Sequence, residues 1–264
     1  MNGKLLAGKN AIIYGAGGGV GRFVAKAFAR EGATVFLAGR TSASLEAVAQ
    51  EISKAGGEAD VATVDALDPQ QIDEHLQKVV SKAGKLDISF NLISTTVGMG
   101  RTLTSLSDEQ FMKCAFTLLK SNFLTATAAA RQMEKQGSGV ILGLTAVTAR
   151  KPRANQGGFA IAGAAIETLC RQLALEAGPK GVRVVCLRTG GTPDNPIVQE
   201  AFAELARRQG ITKEEFERKE AVELALKRLP LLAEVANTAV LMASDYASAI
   251  TATAINASNG DIVD

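Results

Sequence analysis

The sequence predicts an α/β fold: one doubly wound, mostly parallel sheet of about seven strands, with helices on both faces. Three observations carry this. Short apolar runs alternate with segments of period near 3.6 from one end of the chain to the other. Most of the apolar runs are unbroken, as expected of strands covered by helices on both faces. No low-complexity linker, internal repeat or composition break divides the 264 residues, so 1–264 is expected to form a single domain. Hydrophobic residues make up 47% and charged residues 21%, enough apolar material for a sizeable core and too much for a disordered chain.

The first strand is expected at residues 11–14, Ala-Ile-Ile-Tyr, and a glycine-rich turn follows it. Val20, Phe23, Val24, Ala27 and Phe28 then form the apolar stripe of a helix. A second strand at 34–38 precedes a helix with Leu45, Val48 and Ile52 on one face. The third strand, 59–65, leads to Asp68 as N-cap, Pro69 at the first helical position and Gln71 as capping-box partner. Ile72, Leu76, Val79 and Val80 make that helix's stripe. The fourth strand is 87–93, and Ser107 with Gln110 marks the next helix start. Strands at 140–144 and 182–187 follow, separated by a further helical segment. Residues 193–230 interrupt the alternation: they are helical and charged, with Thr212 and Glu215 as another capping pair, and they delay the last strand at 253–257. Right-handed crossovers make such a sheet parallel. An insertion at its carboxyl edge is expected to act as a lid over a ligand crevice.

Composition excludes several function classes. Lys and Arg total 29 against 27 Asp and Glu, a net charge of +2 with no basic block, so no nucleic-acid partner is expected. Three scattered cysteines, Cys114, Cys170 and Cys186, give neither a disulfide framework nor a metal motif, and are expected as small buried hydrophobes. The single histidine, His75, cannot make a histidine-rich metal centre, so no metal is expected. It is read as a solvated residue on the polar side of its helix. No apolar run reaches the ~18 residues of a membrane span, and residues 1–10 lack the apolar region of a secretory signal. No membrane association and a cytoplasmic, reducing setting are expected.

The turn after the first strand reads Gly15-Ala16-Gly17-Gly18-Gly19-Val20-Gly21-Arg22. Glycines there let a pyrophosphate approach the main-chain N–H groups at a helix N-terminus, so dinucleotide binding is expected. An NAD site usually places an acidic residue at the end of the second strand for the ribose 2′-hydroxyl. Here Gly39-Arg40-Thr41-Ser42 stands instead, with no carboxylate between Thr34 and Ser44. Arg40 offers a charged fork suited to a 2′-phosphate, and Thr41 adds a hydroxyl, so NADP(H) is expected over NAD(H).

With these features the sequence resembles the short-chain dehydrogenase/reductase family over essentially the whole chain. Gly15, Gly19 and Gly21 match the family's glycine spacing, with Gly18 and Val20 inside the same loop and Tyr14 where threonine is usual. Asp65 matches an aspartate that the family places beside the adenine, and Asn91 is the one residue kept from its Asn-Asn-Ala-Gly turn. Thr189-Gly190 resembles the Pro-Gly turn after the sixth strand, which adds Gly190 to the cofactor set. Glu234-Val235-Ala236, Ala243-Ser244-Asp245 and Ile250-Thr251 match the C-terminal pattern. The resemblance implies a Rossmann-like fold. It also implies a homo-oligomer, tetramer or dimer, formed through the long helices after the fourth and fifth strands.

The family's carbonyl chemistry rests on an Asn, a Ser, a Tyr and a Lys. In this sequence Leu118, Ala146, Phe159 and Gly163 fall at those four positions. The only tyrosines, Tyr14 and Tyr246, lie outside the segment that carries the family's acid. Ketone reduction by the family mechanism is therefore not expected, since one positioned general acid contributes ~10²–10⁴-fold in rate. Two functions remain. One is an oxidoreductase acting on activated electrophiles, such as iminium, enone or enoyl groups, which need no strong acid. The other is an inactive NADP(H)-binding scaffold, sensor or partner subunit. Ser94, Thr95, Thr96 and Thr145 offer hydroxyls near the expected nicotinamide end. The cations Arg150, Lys151 and Arg153 read either as a site for an anionic substrate or a carrier's phosphate, or as a solvated loop.

Overall fold

The chain enters the sheet at its centre. In the computed structural model, which describes residues 3–263, strand β1 (Asn10–Tyr14) is buried from Ala11 onward. Met1, Asn2 and Asp264, which belong to the expected domain 1–264, lie outside the described residues. From β1 the chain steps outward through α1 (Gly19–Arg30), β2 (Thr34–Gly39), α2 (Ser42–Lys54) and β3 (Glu58–Thr63). It returns through α3 (Pro69–Ala83) to β4 (Ile88–Asn91) on the other side of β1. Then come α4 (Asp108–Gln136), β5 (Gly139–Ala146), α5 (Phe159–Ala177) and β6 (Val182–Thr189). Helices α6 (Pro196–Gln209), α7 (Lys213–Glu223) and α8 (Leu232–Ala243) precede β7 (Thr253–Ala257).

The seven strands form one sheet in the order β3-β2-β1-β4-β5-β6-β7, with every pair parallel. The order reverses between β1 and β4, and a sheet of this kind opens its ligand crevice outside the strand ends at such a point. Helices α1, α2 and α8 cover one face through Val24, Phe28, Leu45, Val48 and Val240. Helices α3, α4 and α5 cover the other through Ile72, Met133, Ile166 and Leu173.

Local chemistry explains most boundaries. Ser107 with Gln110 and Thr212 with Glu215 form complete capping boxes. Asp68 accepts the Gln70 and Gln71 N–H groups as expected, but Gln71 does not complete a box: its Oε1 accepts the Asp65 N–H at 2.9 Å. β5 and β6 run two residues beyond the expected ends, because Thr145 and Ala146 keep pairing with Arg188 and Thr189. Those polar residues had hidden the extension from an apolar-run reading. β4 is shorter than expected, since the Asn91 Oδ1 accepts the Ile93 N–H at 2.9 Å and turns the chain out of the sheet.

His75 departs from expectation. It is only 6% exposed, lies edge-on to Tyr14 at 6.3 Å between ring centroids, and leaves Nδ1 without a partner. Tyr14 points into the α3 side of the core, where His75 packs against its ring. Burial pushes the His75 pKa down to about 4. All three cysteines are buried, as expected, and burial raises the Cys114 thiol.

Candidate functional site

The carboxyl ends of the parallel strands gather the expected site residues along one edge. Gly15 leaves β1 with φ +78°, and a side chain there would stand 2.9 Å from the Leu92 carbonyl oxygen. The loop closes on itself when the Gly18 N–H donates to the Gly15 carbonyl at 3.0 Å. Gly21 lets α1 lie directly on this turn: a Cβ there would overlap the Gly15 carbonyl and stand 2.8 Å from the Ala16 Cα. Gly18 is the N-cap of α1 and brings no capping side chain, so the first-turn N–H groups are directed out of the helix end. The approach to Gly19 is narrow. A Cβ there would meet the Asn195 Oδ1 at 2.9 Å. Asn195 is the buried N-cap of α6 and was not singled out from the sequence, although Asn before Pro at a helix start is a legible signal.

Arg40 follows the last residue of β2 and is exposed, and Thr41 is the N-cap of α2. Among the described residues no carboxylate is paired with Arg40, whereas the neighbouring Glu46 is taken by Ser42 at 2.7 Å. Asp65 lies just past β3, half-buried, and accepts the Leu67 N–H at 3.0 Å. The Val64 N–H donates to the Gly39 carbonyl at 3.0 Å, which holds the Asp65 turn against the Arg40 turn. Val20 and Gly190 are half-buried at the ends of the same crevice. Asn91 is buried, and its side chain joins the Thr125 hydroxyl (2.9 Å) to the Ile93 N–H, so it fixes the turn after β4 to α4.

At the other end, Phe159, Gly163 and Glu167 succeed one another at four-residue spacing on one face of α5. Gly163 is no vacancy: a Cβ there would be 3.1 Å from the Ala149 Cβ and 3.9 Å from the Thr145 Cβ. Leu118 is buried on α4, and Ala146 closes β5. Tyr14 is buried against α3, where burial and the Asp73 carboxylate hold its phenol well above the usual range, and Tyr246 is exposed beyond α8.

The hydroxyls and cations expected near this end are mostly committed. Thr145 donates to the Glu167 Oε1 at 3.1 Å, and Arg188 grips both oxygens of the same carboxylate at 2.8 and 2.7 Å. This Glu–Arg pair is buried beneath the site, and nothing in the local sequence had marked it. The Thr95 hydroxyl accepts the Val97 N–H at 3.3 Å. Lys151 binds the Asp261 carboxylate at 2.9 Å, and Arg153 bridges Asp261 and Glu220. The basic loop is thus neither a free anion site nor merely solvated.

Comparison with known proteins agrees with this geometry. The profile of a family described as "Enoyl-(Acyl carrier protein) reductase" matches residues 15–260. The chain is 29% identical over 257 residues to 7alpha-hydroxysteroid dehydrogenase of Escherichia coli K12, covering 97% of this chain and 95% of that one. The structure of a 7alpha-hydroxysteroid dehydrogenase complexed with NADH and 7-oxo glycochenodeoxycholic acid superposes with a TM-score of 0.86 at 28% identity, covering 98% of this chain and 96% of that one. Levodione reductase superposes with a TM-score of 0.89 at 25% identity, covering 96% and 97%. Among the described residues, no helix is long and apolar enough to cross a membrane. A parallel seven-stranded sheet, a glycine loop at its switch point and similarity across nearly the whole length place the chain in the short-chain dehydrogenase/reductase family, to which it belongs.

Proposed function

We propose that this family member is an NADP(H)-dependent oxidoreductase that works without a built-in proton donor, on activated electrophiles such as iminium, enone or enoyl groups. The observation that carries the reading is the α5 face at the substrate end. It presents Phe159 and a closely packed Gly163, followed by a Glu167 already bound to Arg188 and Thr145. Leu118 and Ala146 complete an apolar floor.

The residues present fit a dinucleotide. Gly15, Gly18, Gly19 and Gly21 form a loop that side chains would fill, and the open end of α1 suits a pyrophosphate. Arg40, exposed and without a carboxylate partner, suits a 2′-phosphate, with Thr41 beside it and Asp65 at the adenine side. Val20 and Gly190 border the path of the chain between these ends, and Asn91 acts through the turn that it holds. When bound, the nicotinamide supplies a hydride. A substrate that already carries its proton, or that delocalises charge onto a conjugated oxygen, then needs positioning and little acid. The matching family is itself described as an enoyl reductase, which supports the enoyl class.

The test is NADPH turnover on iminium, enone and ketone substrates of similar size, with Gly19→Asp as the control. Faster turnover of the first two classes supports the reading. NADPH binding without turnover of any class above the control favours the scaffold or sensor reading.

Helices α4 and α5 support a homo-oligomer. Met112, Phe116 and Phe123 are about half exposed along α4, and Leu175 is exposed on α5. Light scattering of the wild type and of Phe116→Glu measures this directly.

A further inference from the structure

Helix α7 is attached to the body of the protein by little apolar contact. It buries one side chain, Phe216, which packs on Phe202 of α6 with ring centroids 5.2 Å apart. Two helices anchored mainly to one another do not close a crevice by themselves. Its C-cap Leu224 is buried, and the side-chain attachment of the helix that reaches across to other elements is ionic. Glu220 of α7 is bound by the Arg153 guanidinium, which reaches across from the loop after β5. The second arm of that guanidinium binds the Asp261 carboxylate at 3.3 Å, on the segment after β7. Lys151 holds the same carboxylate at 2.9 Å and the Asp261 carbonyl at 3.3 Å.

The joint is sheltered on one side and wet on the other. The Asp261 side chain is 5% exposed and that of Arg153 is 37% exposed. The chain just beyond α7 meets the same C-terminal segment through the Leu226 N–H and the Asn259 carbonyl at 3.1 Å. On the α6 side, Arg208 donates to the Gly100 carbonyl at 3.1 Å, and the Gly100 N–H donates to the Asn155 carbonyl at 2.8 Å. Three segments that follow three different strands therefore meet at Arg153, over the carboxyl edge of β5, β6 and β7.

We propose that Arg153 is the positioning residue of an ionic clasp that holds α7 closed over the substrate end of the crevice, so that release of Glu220 and Asp261 sets how often this end is open. The clasp goes beyond the proposed chemistry and stands whether or not hydride transfer is retained. It gives the basic loop its role: the cations act on the protein's own carboxylates. A partly exposed ion pair is screened by salt and a buried apolar contact is not, so closure should be salt-sensitive while the sheet is not.

Amide hydrogen–deuterium exchange of the full chain tests this. Arg153→Gln and Glu220→Gln should each raise exchange in α7, by about tenfold for the Arg153 change because charge-assisted contacts to two carboxylates are lost. Exchange in β1, β4 and β5 should stay as in the wild type. Arg153→Lys should keep part of the protection, and added sodium chloride at about 1 M should move wild-type α7 in the same direction. Unchanged α7 exchange in both glutamine variants overturns the clasp, and so does an equal rise in the strands, which would mark a general loss of stability. If Arg153→Gln does not fold, Glu220→Gln decides alone, because it leaves the Arg153–Asp261 contact in place.

Discussion

Replacing His75 by Leu should change how stability depends on pH, by an amount the structure specifies. His75 is buried beside Tyr14, and desolvation is the main cause of its lowered pKa, with Asp60 raising it and Lys78 lowering it to lesser degrees. The folded value is about 4 against 6.5 for the free side chain. Above pH ~6.5 neither state binds the proton and the folded protein keeps its full stability. As pH falls from there to about 4, the unfolded chain gains a proton that the folded chain refuses, and stability drops. Below about 4 both states are protonated and the loss levels off. The depression corresponds to about 3 kcal/mol at roughly 1.4 kcal/mol per pH unit. His75→Leu removes this term and also the partnerless Nδ1, so near pH 7.5 it should be neutral or stabilising by about 1 kcal/mol. Urea denaturation at several pH values between about 7.5 and 4 gives the comparison. Titration of the carboxylates is common to both proteins and cancels in the difference. The gap between variant and wild type should widen by about 3 kcal/mol over this range. Parallel curves would refute the burial argument.

Other perturbations address the site. Arg40→Asp should reverse a preference for NADPH over NADH, read by titration calorimetry; equal wild-type affinities for the two would remove the role assigned to Arg40. Arg188→Met should cost about 3 kcal/mol in urea denaturation because it leaves the buried Glu167 carboxylate with only Thr145 and the half-exposed Arg171 at 3.8 Å, while Arg188→Met with Glu167→Met should cost less. The triple change Ala146→Ser, Phe159→Tyr and Gly163→Lys should raise ketone reduction without a matching gain on iminium substrates. Because a Cβ at Gly163 stands 3.1 Å from the Ala149 Cβ, adding Ala149→Gly should increase that gain.

The fold was legible because its signals are local. Apolar runs, glycines at a strand end and caps such as Ser107 with Gln110 act within a few residues, so the elements appear in the expected order with only their ends shifted. The positions of the glycine turn and of Arg40 were legible for the same reason: they depend only on the ends of β1 and β2. What was hidden depends on contacts distant in sequence. Lys151 and Arg153 look like a free positive patch until Asp261 and Glu220 arrive from the far end of the chain. Glu167 looks like an ordinary helix-surface residue until Arg188 closes on it from β6. His75 reads as a polar helix residue until the fold sets it edge-on against Tyr14 of β1.

These long-range pairings bear on the chemistry as well. At the proposed cofactor end two groups are available to bind: a glycine-capped helix end and an exposed arginine with no carboxylate partner among the described residues. At the proposed substrate end several are spent on the protein itself, in Thr145–Glu167–Arg188 below and Lys151–Asp261–Arg153 above. A group already matched by a partner has little proton-transfer capacity left for a substrate. Positioning against a bound reductant can still lower a barrier by as much as ~7–11 kcal/mol. On the proposed reading, a crevice that holds a dinucleotide and offers no free acid favours substrates whose electrophilic carbon is already activated. The partition also separates the two functions. An oxidoreductase of this kind needs α7 to open and close on each turnover, whereas a scaffold could keep its clasp shut. Releasing the clasp with Glu220→Gln should thus change turnover on an iminium substrate if the first reading holds, and should leave only nucleotide binding to measure if the second does.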